Sequence, residues 1–322
     1  MSRLSDISAS PTLREFAQGA AQSAIMPVAD FIAPTVEVAT SVGRFKSYSE
    51  KHRFHIPDTL RTLGGRASEL RFEVSDATFN CEPHALDYPV DNLEQLESEG
   101  LENMLREGAT AVAEVAALSH EKAVIDAALA AVGVGTSKSW AAAADPIADV
   151  DDAILTVIKA AKYGSLMGVG VLFGATAWKI FKNQAMVRGR FVVGNGRGPS
   201  AGSGQASSHL GLAVPTEQSA GQMFIGTPDV RTSYMIYDAN PEGKAESISF
   251  LLDTAVLIFA RKEAPSRRDP SFMKTFRLMN RFMVPGSYVR DDGRVEVAKF
   301  DWSEDVKVTN SAACVRLNVS AT

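Results

Sequence analysis

The residues whose types and spacing best fit a catalytic pattern lie between 194 and 204, which read GNGRGPSAGSG. Residues 198–202 fit G-x-S-x-G, the pattern that presents a nucleophilic Ser200 on a sharp strand-to-helix turn. Residues 196–201 fit G-x-G-x-x-A, in which the close approach of the backbone and a helix N-terminus bind a pyrophosphate. The stretch could therefore serve acyl transfer or dinucleotide binding, and each chemistry requires further residues at set distances.

Those further residues are missing. A hydrolase of this kind needs an acid and then a histidine after the serine, but His209 is the only histidine after Ser200 and residues 201–208 contain no carboxylate. For a dinucleotide, Glu217 lies at about the right distance, yet the pattern predicts no helix after the glycines and Pro199 interrupts them. We therefore interpret the stretch as a loop of small residues at a domain tip and expect no enzymatic activity, with a soluble enzyme as a minor alternative.

Three shorter patterns imitate other sites. His52 and His55, like Cys81 and His84, are three residues apart, as zinc ligands often are. Both pairs fall in a stretch predicted to be extended, where side chains three apart point to opposite faces. Residues 119–122 read SHEK and fit S-x-x-K, but they lie in a predicted helix and the companion motifs are absent. We therefore expect neither a metal nor a cofactor.

Composition excludes several classes of protein. The 322 residues carry a net charge of -5, which is unsuited to a protein whose main task is to grip nucleic acid. Two cysteines are too few for a disulfide framework. The longest apolar stretch, residues 248–260, contains Asp253 and is too short to cross a bilayer, and the N-terminus lacks the features of a signal peptide. We expect a soluble protein with an ordinary core.

The N-terminal quarter is predicted to be extended and poorly self-supporting. Residues 1–35 show no sustained periodicity, so we expect an arm that becomes ordered on a partner surface. Residues 36–88 are rich in β-branched and aromatic residues on either side of Gly64 and Gly65, which predicts a long two-stranded hairpin. An isolated hairpin is marginally stable in water, so neighbouring copies must support it.

Periodicity then predicts a helical and a mixed region. A long helix should follow Asp91 and Glu94, which could form a capping box, with a stripe that includes Val115. Asp145 is a natural N-cap and Pro146 a natural first residue for a second helix. After these we predict a strand at 165–173, a helix at 174–183, strands at 221–226, 231–238 and 247–262, and a strand-rich tail with a turn at 291–293.

Charge is unevenly distributed. Residues 91–107 hold six acids against one base, and residues 261–281 hold seven bases against two acids. The two segments are either solvated faces or complementary patches that meet within or between subunits and set orientation. As interface candidates we select Glu97, Glu99, Glu102, Arg267 and Arg268.

The order of these elements resembles that of the major capsid proteins of tailed phages, which have the HK-ninety-seven-like fold, and is most similar to the phage lambda-like coat protein group. ADFIAPTVEV looks like the entry from arm to hairpin, and RFEVSDATFNCEPHALDYPVDN looks like the descending hairpin strand. DPIADVDDAI, LMGVGVLFGATAWKIFKN and SISFLLDTAVLIFA look like successive elements of the axial domain. The resemblance covers residues 28–320.

The resemblance implies an α+β fold with four parts. They are an N-terminal arm (1–35), an extended hairpin or E-loop (36–88), a peripheral P-domain with a long spine helix and a sheet (89–144 and 263–302), and an axial A-domain (145–262 and 303–322). The glycine-rich loop would lie at the A-domain tip near five-fold and six-fold axes, with small residues that let it fit both rings: Gly194, Gly196, Gly198, Ser200, Gly202 and Gly204.

The resemblance also implies a function. The chain would form pentamers and hexamers of an icosahedral head that encloses DNA without sequence-specific binding, in the virion after assembly in the host cytoplasm. Its partners would be other copies of itself, a separate scaffolding protein, a portal and, as a further candidate, a decoration protein. Some members cross-link lysine to asparagine, which makes Lys46 and Lys51 candidates. The alternative within this fold is an encapsulin-type compartment.

Overall fold

The computed structural model describes residues 28–48, 60, 74–91, 101–161, 168–193, 215–240, 243–267, 269, 271–279, 284–291 and 293–321. They divide between two compact units, Met1–Ala128 with Glu263–Thr309 (unit 1) and Leu129–Lys262 with Asn310–Thr322 (unit 2). No helix within these described ranges is both long and apolar enough to cross a membrane.

The helices within the described residues are α1 (Ala29–Ile32), α2 (Leu101–Val132), α3 (Pro146–Ala161), α4 (Ala175–Asn183), α5 (Ala185–Val193) and α6 (Glu217–Met223). The strands are β1 (Thr35–Val38), β2 (Val42–Tyr48), β3 (Val74–Asn80), β4 (Glu82–Asp91), β5 (Thr136–Ser139), β6 (Gly168–Gly174), β7 (Asp229–Ser233), β8 (Ile236–Asp238), β9 (Ile248–Phe250), β10 (Ala255–Arg261), β11 (Met273–Leu278), β12 (Val284–Val289), β13 (Val295–Val308) and β14 (Cys314–Ser320).

Unit 1 is built around the long strand β13. On one side β13 pairs antiparallel with β4 along ten residues, and on the other with β12 and then β11. Strand β1 extends the sheet in parallel with β11. Because β13 is continuous to Val308, the chain leaves unit 1 after Thr309, whereas the sequence placed the return to the axial domain at residue 303.

The long helix α2 packs on this sheet through small side chains. Ala109, Val112, Ala113 and Ala116 form one cluster with residues of β4 and β13, among them Phe300. At Gly108 an added Cβ would lie 2.3 Å from the Tyr88 ring, so only glycine allows this close approach. The helix was predicted, but Val115 is 56% exposed, so its expected place on the buried stripe was wrong.

The predicted hairpin is present but shorter than expected. Strands β2 and β3 pair antiparallel, from Val42 opposite Asn80 to Tyr48 opposite Val74. Strands β1 and β4, which overlap the two ends of the range 36–88 expected for the hairpin, belong instead to the sheet of unit 1. Strand β1 joins the sheet because its alternate residues, Val36 and Val38, are buried there.

The end of the expected arm is buried within its own chain. Residues 28–33 form α1 and its flanks, and Phe31 and Ile32 are almost fully buried. The expectation that the arm up to residue 35 requires a partner surface was therefore wrong for residues 28–35, because apolar side chains here have an intramolecular core to enter. Residues 1–27 lie outside the described residues.

Unit 2 contains a five-stranded sheet in the order β5-β14-β10-β6-β7. Asp145 caps α3 as predicted, since its Oδ1 accepts hydrogen bonds from the backbone N–H groups of Ile147 at 3.1 Å and Ala148 at 3.3 Å. The strand predicted at 221–226 was wrong. Residues 217–223 form α6, begun by a capping box in which Thr216 and Ser219 bond reciprocally.

Candidate functional site

Many of the residues selected from sequence lie outside the described part of the chain. Glu102 and Lys46 lie in α2 and β2, but their side chains are not described. The whole glycine-rich loop, the histidine pair near residue 53, and several interface candidates fall outside the described ranges: Gly194, Gly196, Gly198, Ser200, Gly202, Gly204, His52, His55, Glu97, Glu99, Lys51 and Arg268. Their proposed roles remain predictions.

The chain that leads into the glycine-rich loop is helical. Residues 191–193 form the last turn of α5. Both the G-x-S-x-G and the G-x-G-x-x-A patterns require a strand at this position, because the sharp turn from strand to helix is what presents the serine or the backbone N–H groups. The structure before residue 194 therefore fits neither template.

Cys81 and His84, the second pair with zinc-like spacing, have different surroundings in the structure. Burial raises the pKa of the Cys81 thiol, whose Sγ lies 3.5 Å from the carbonyl oxygen of Phe276. His84 is exposed and stacks on Trp302, with ring centroids 5.6 Å apart. Across the described ranges, no group of three or more His, Cys, Asp or Glu side chains is arranged to hold a metal ion.

The S-x-x-K pattern lies on α2 as expected. Lys122 Nζ donates to Asp126 Oδ2 at 2.5 Å, an exposed pair one helical turn apart. Between the two motif residues, however, His120 and Glu121 are buried at 4% and 0% exposure. Sequence reasoning missed both, although two consecutive ionisable residues in line with the apolar stripe were a readable signal.

Part of the basic segment 261–281 is neutralised within its own chain. Lys274 is fully buried, and its Nζ lies 3.3 Å from the carboxylate oxygen Oδ1 of Asp269. The same Nζ donates to the backbone carbonyl oxygens of Asp269 at 2.6 Å and Ser266 at 2.7 Å. Arg261 Nη1 pairs with Asp229 Oδ2 at 2.8 Å. These bases are not free to form the intersubunit patch considered above, which corrects that expectation for them.

Three phenylalanines join the β2–β3 hairpin to the sheet, and we call this cluster the hairpin root. The ring of Phe276 on β11 stacks on Phe79 at 4.6 Å and lies 5.4 Å from Phe45. All three are at least 96% buried, as are Val38 and Cys81 in the same cluster. A two-stranded ribbon has too little core of its own, so this cluster is what fixes its base.

Three further contacts support the hairpin root. The interface candidate Arg267 is exposed and lies over the Phe79 ring, 5.8 Å from its centroid, in cation–π geometry. Gly43 faces the same ring, and an added Cβ would lie 2.5 Å from it. The backbone N–H of Asn80, the last residue of β3, donates to Asp305 Oδ2 at 2.8 Å.

A buried charge network lies beside the hairpin root. Glu304 on β13 accepts from His120 Nδ1 at 2.8 Å and from Arg277 Nη2 at 3.0 Å. Burial opposes ionisation of Glu304, but its bonds to His120 and Arg277 prevail and lower its pKa to about 2. The network therefore ties α2 to β13 and β11 through an ionised carboxylate, next to a cavity of ≈ 190 Å³ also lined by Glu82.

Acid should weaken this network. The pKa of Glu304 is about 2 in the folded chain and about 4.5 when unfolded, so the carboxylate stabilises the fold above pH 4.5 and loses that effect as the pH falls toward 2. We expect Glu304→Gln to lower the free energy of unfolding at pH 7 by roughly 3 kcal/mol. Urea unfolding measures this, and the difference in the free energy of unfolding between the native and Glu304→Gln chains should decrease as the pH is lowered from 5 to 2.5. A difference that does not change with pH would contradict the role of Glu304 as a stabilising ionised carboxylate.

Comparisons with known proteins place the fold. Neither a protein-family model nor a curated protein sequence matches the chain. Among solved structures, a phage-related protein from Bordetella bronchiseptica RB50 is 15% identical, with a TM-score of 0.66 and 97% of each chain covered. The bacteriophage PhiM1 mature capsid is 11% identical, with a TM-score of 0.53 over 93% of this chain and 88% of that one.

An encapsulin also shares this architecture. The SrpI encapsulin of Synechococcus elongatus PCC 7942 is 13% identical, with a TM-score of 0.54 over 94% of this chain and 90% of that one. At such low identities the likeness speaks for the fold. The chain thus has an α+β, HK-ninety-seven-like fold, as predicted from the sequence.

Proposed function

We propose that this chain is the major capsid protein of a tailed phage, and that copies of it assemble through pentamers and hexamers into an icosahedral shell around the phage DNA. The observation that carries the proposal is the near-complete coverage in both directions of solved phage capsid chains. A match over 89–93% of this chain, and not over a core domain alone, supports a shared use of the whole fold.

The hairpin root supports an assembly role for the hairpin. The β2–β3 pair is held at its base by the cluster of Phe45, Phe79 and Phe276, while residues 49–73 connect the two strands beyond Tyr48 and Val74. Residues 49–73 number 25, far more than the two to five residues that a turn between paired strands needs. Burial against neighbouring copies is the use that would repay the cost of ordering it.

The proposed partners follow from this role. Other copies of the chain are the principal partner, with a separate scaffolding protein, a portal and a decoration protein as further candidates. The net charge of -5 suits a shell whose wall must not adhere tightly to packaged DNA. The site of action would be the virion, reached by assembly in the host cytoplasm.

Sedimentation velocity of the purified chain tests the proposal. A chain of 34.5 kDa that builds a shell should give one sharp species many times heavier than a monomer. We expect this species when the chain is produced together with the genes that flank its own, and monomers or small rings if a scaffolding protein is withheld. A chain that stays monomeric under both conditions and at high concentration would contradict the proposal.

An encapsulin-type compartment is the second candidate, because the SrpI encapsulin matches the chain as well as the PhiM1 capsid does. The contents of the particle distinguish the two. A phage head filled in its host contains double-stranded DNA and a portal, whereas a compartment contains a protein cargo. Mass spectrometry of purified particles identifies a protein cargo, and extraction of nuclease-protected DNA from the same particles identifies a packaged genome.

Charge complementarity between subunits gives a further prediction. Reversal of Arg268 to Glu should slow assembly severalfold, and Glu99→Lys in the same chain should restore part of the rate, because an exposed pair contributes roughly 0.2–1 kcal/mol at every repeated contact. Light scattering during assembly measures the rate. We choose Arg268 over Arg267 because Arg267 also lies on Phe79 in the hairpin root.

Lys244→Glu is the matched control, since it makes the same change in net charge at an exposed position of unit 2. It should leave the assembly rate close to that of the native chain. Because surface charges are screened over about 8 Å at physiological salt and about 3 Å at 1 M, high salt should also reduce the difference made by Arg268→Glu. Equal rates for native and Arg268→Glu chains at low salt would identify these charges as solvated faces.

A further inference from the structure

A single buried carboxyl group holds the N-terminal segment 28–33 against the long helix. Glu121 lies in α2 with no exposed surface. Its Oε1 accepts hydrogen bonds from the backbone N–H groups of Val28 and Ala29, both at 3.0 Å. The segment packs tightly around this contact, because Phe31 and Ile32 are at most 1% exposed.

The other half of the same carboxyl group is unsatisfied. Glu121 Oε2 is buried and has no hydrogen-bond partner. A neutral carboxylic acid needs only one good acceptor oxygen to hold the two N–H groups. A carboxylate in the same place would leave half of its charge in the core without a donor, which is costly.

The charged neighbours do little to relieve that cost. On its own helix, Glu121 is next to His120, whose Nδ1 is already bonded to Glu304, which also binds Arg277. On the N-terminal segment, Asp30 is the facing charge and disfavours a second negative charge. Burial, the largest effect, raises the pKa of Glu121 above its ordinary value, although the two backbone N–H groups and His120 act in the opposite direction.

We propose that Glu121 is a pH-dependent latch, whose neutral carboxyl group holds residues 28–33 on α2 and whose ionised form holds them less tightly. The latch belongs to the folded subunit and does not depend on the proposed shell function. Residues 1–27 directly precede Val28 in the chain, so the latch sets how firmly the C-terminal end of residues 1–27 is anchored.

The direction of the pH effect follows from linkage. The pKa of Glu121 is raised in the latched state, whereas in the open state it lies near the ordinary pKa of 4.5. The carboxyl group therefore binds its proton more tightly in the latched state. Protonation of Glu121 stabilises the latched state fully at a pH below the open-state pKa. This stabilisation is lost as the pH rises through the higher pKa of the latched state. The latch therefore loosens with rising pH, which is opposite to the acid sensitivity expected for Glu304.

Hydrogen exchange of the full-length chain tests the latch. Protection factors for peptides that cover residues 28–33 should fall between pH 4 and pH 8. The total fall should be tenfold for each unit by which the pKa of Glu121 in the latched state exceeds its pKa in the open state. In Glu121→Gln, which keeps the acceptor and is always neutral, protection should stay constant over this range. In Glu121→Ala it should be at least about tenfold lower at pH 4, because two buried N–H groups lose their acceptor. Peptides from β10 in unit 2 serve as the internal reference.

Two variants separate the latch from other titrations. Asp30→Asn, at an exposed position, removes a negative charge that faces Glu121 and should move the fall in protection to lower pH. This variant tests the proposal even if Glu121→Gln does not fold. The proposal is overturned if wild-type protection is independent of pH, if Glu121→Gln shows the same fall as wild type, or if the fall disappears in His120→Gln but persists in Glu121→Gln.

Discussion

Replacement of residues 49–73 by the two residues Asn-Gly should give a folded subunit that no longer assembles. Tyr48 and Val74 are paired in register, so a two-residue type I′ turn can close β2 and β3 without disturbing their ladder. The hairpin root remains complete, because Phe45 and Phe79 lie on the retained strands. The thermal unfolding midpoint should therefore change by only a few degrees.

Loss of assembly is expected because stable interfaces bury on the order of 1,200–2,000 Å², and the removed segment is proposed to supply a large share of that area. We expect the concentration required for assembly to rise at least about a hundredfold, measured by sedimentation velocity. Ser200→Ala is the control, since a structural loop should tolerate it with assembly unchanged. Normal shells from the shortened chain would contradict an assembly role for the hairpin.

Phe276→Ala should destabilise unit 1 by about 3–5 kcal/mol, the range for removal of a fully buried phenylalanine ring. Phe276 is 0% exposed and contacts both Phe45 and Phe79, so its loss leaves a cavity between the sheet and the hairpin. We also expect hydrogen-exchange protection in β2 and β3 to fall, since the ribbon would lose its main contact with the sheet. Urea unfolding and exchange mass spectrometry measure these effects.

Phe259→Ala is the matched control for this experiment. Phe259 is equally buried but lies on β10 in unit 2, so its removal should cost a similar free energy without loosening β2 and β3. The two units can unfold in separate transitions, which the two variants would identify. A loss below about 1 kcal/mol in Phe276→Ala, or equal exchange changes in both variants, would show that the hairpin does not depend on this ring.

Periodic patterns and caps made much of this fold predictable. The apolar spacing predicted α2, and Asp145 followed by Pro146 predicted the start of α3, because caps are local features whose chemistry is visible in a few residues. The hairpin was also predicted, but its ends were not. Whether residues 35–38 extend a ribbon or join a sheet depends on β11, more than 230 residues away in the chain.

The errors have similar physical causes. Residues 221–226 contain Met223, Phe224 and Ile225, which suggested a strand. The capping box at Thr216 instead begins a helix that continues to Met223. The position of Glu121 in line with the apolar stripe was a readable signal of burial, but its partners were not predictable. They are two backbone N–H groups 92 and 93 residues earlier, which leave no trace in side-chain patterns. Lys274 was predicted to belong to a basic surface segment. It is buried instead, because its Nζ donates to the backbone carbonyl oxygens of Asp269 and Ser266.

Electron microscopy of the chain, produced alone and together with the genes that flank its own, tests the central claim most directly. We predict closed hollow particles of uniform diameter with icosahedral symmetry, in which averaged maps place the β2–β3 hairpin of each subunit against a neighbouring copy. Images that show only separate 34.5 kDa subunits, at concentrations where a shell protein assembles, would contradict the account.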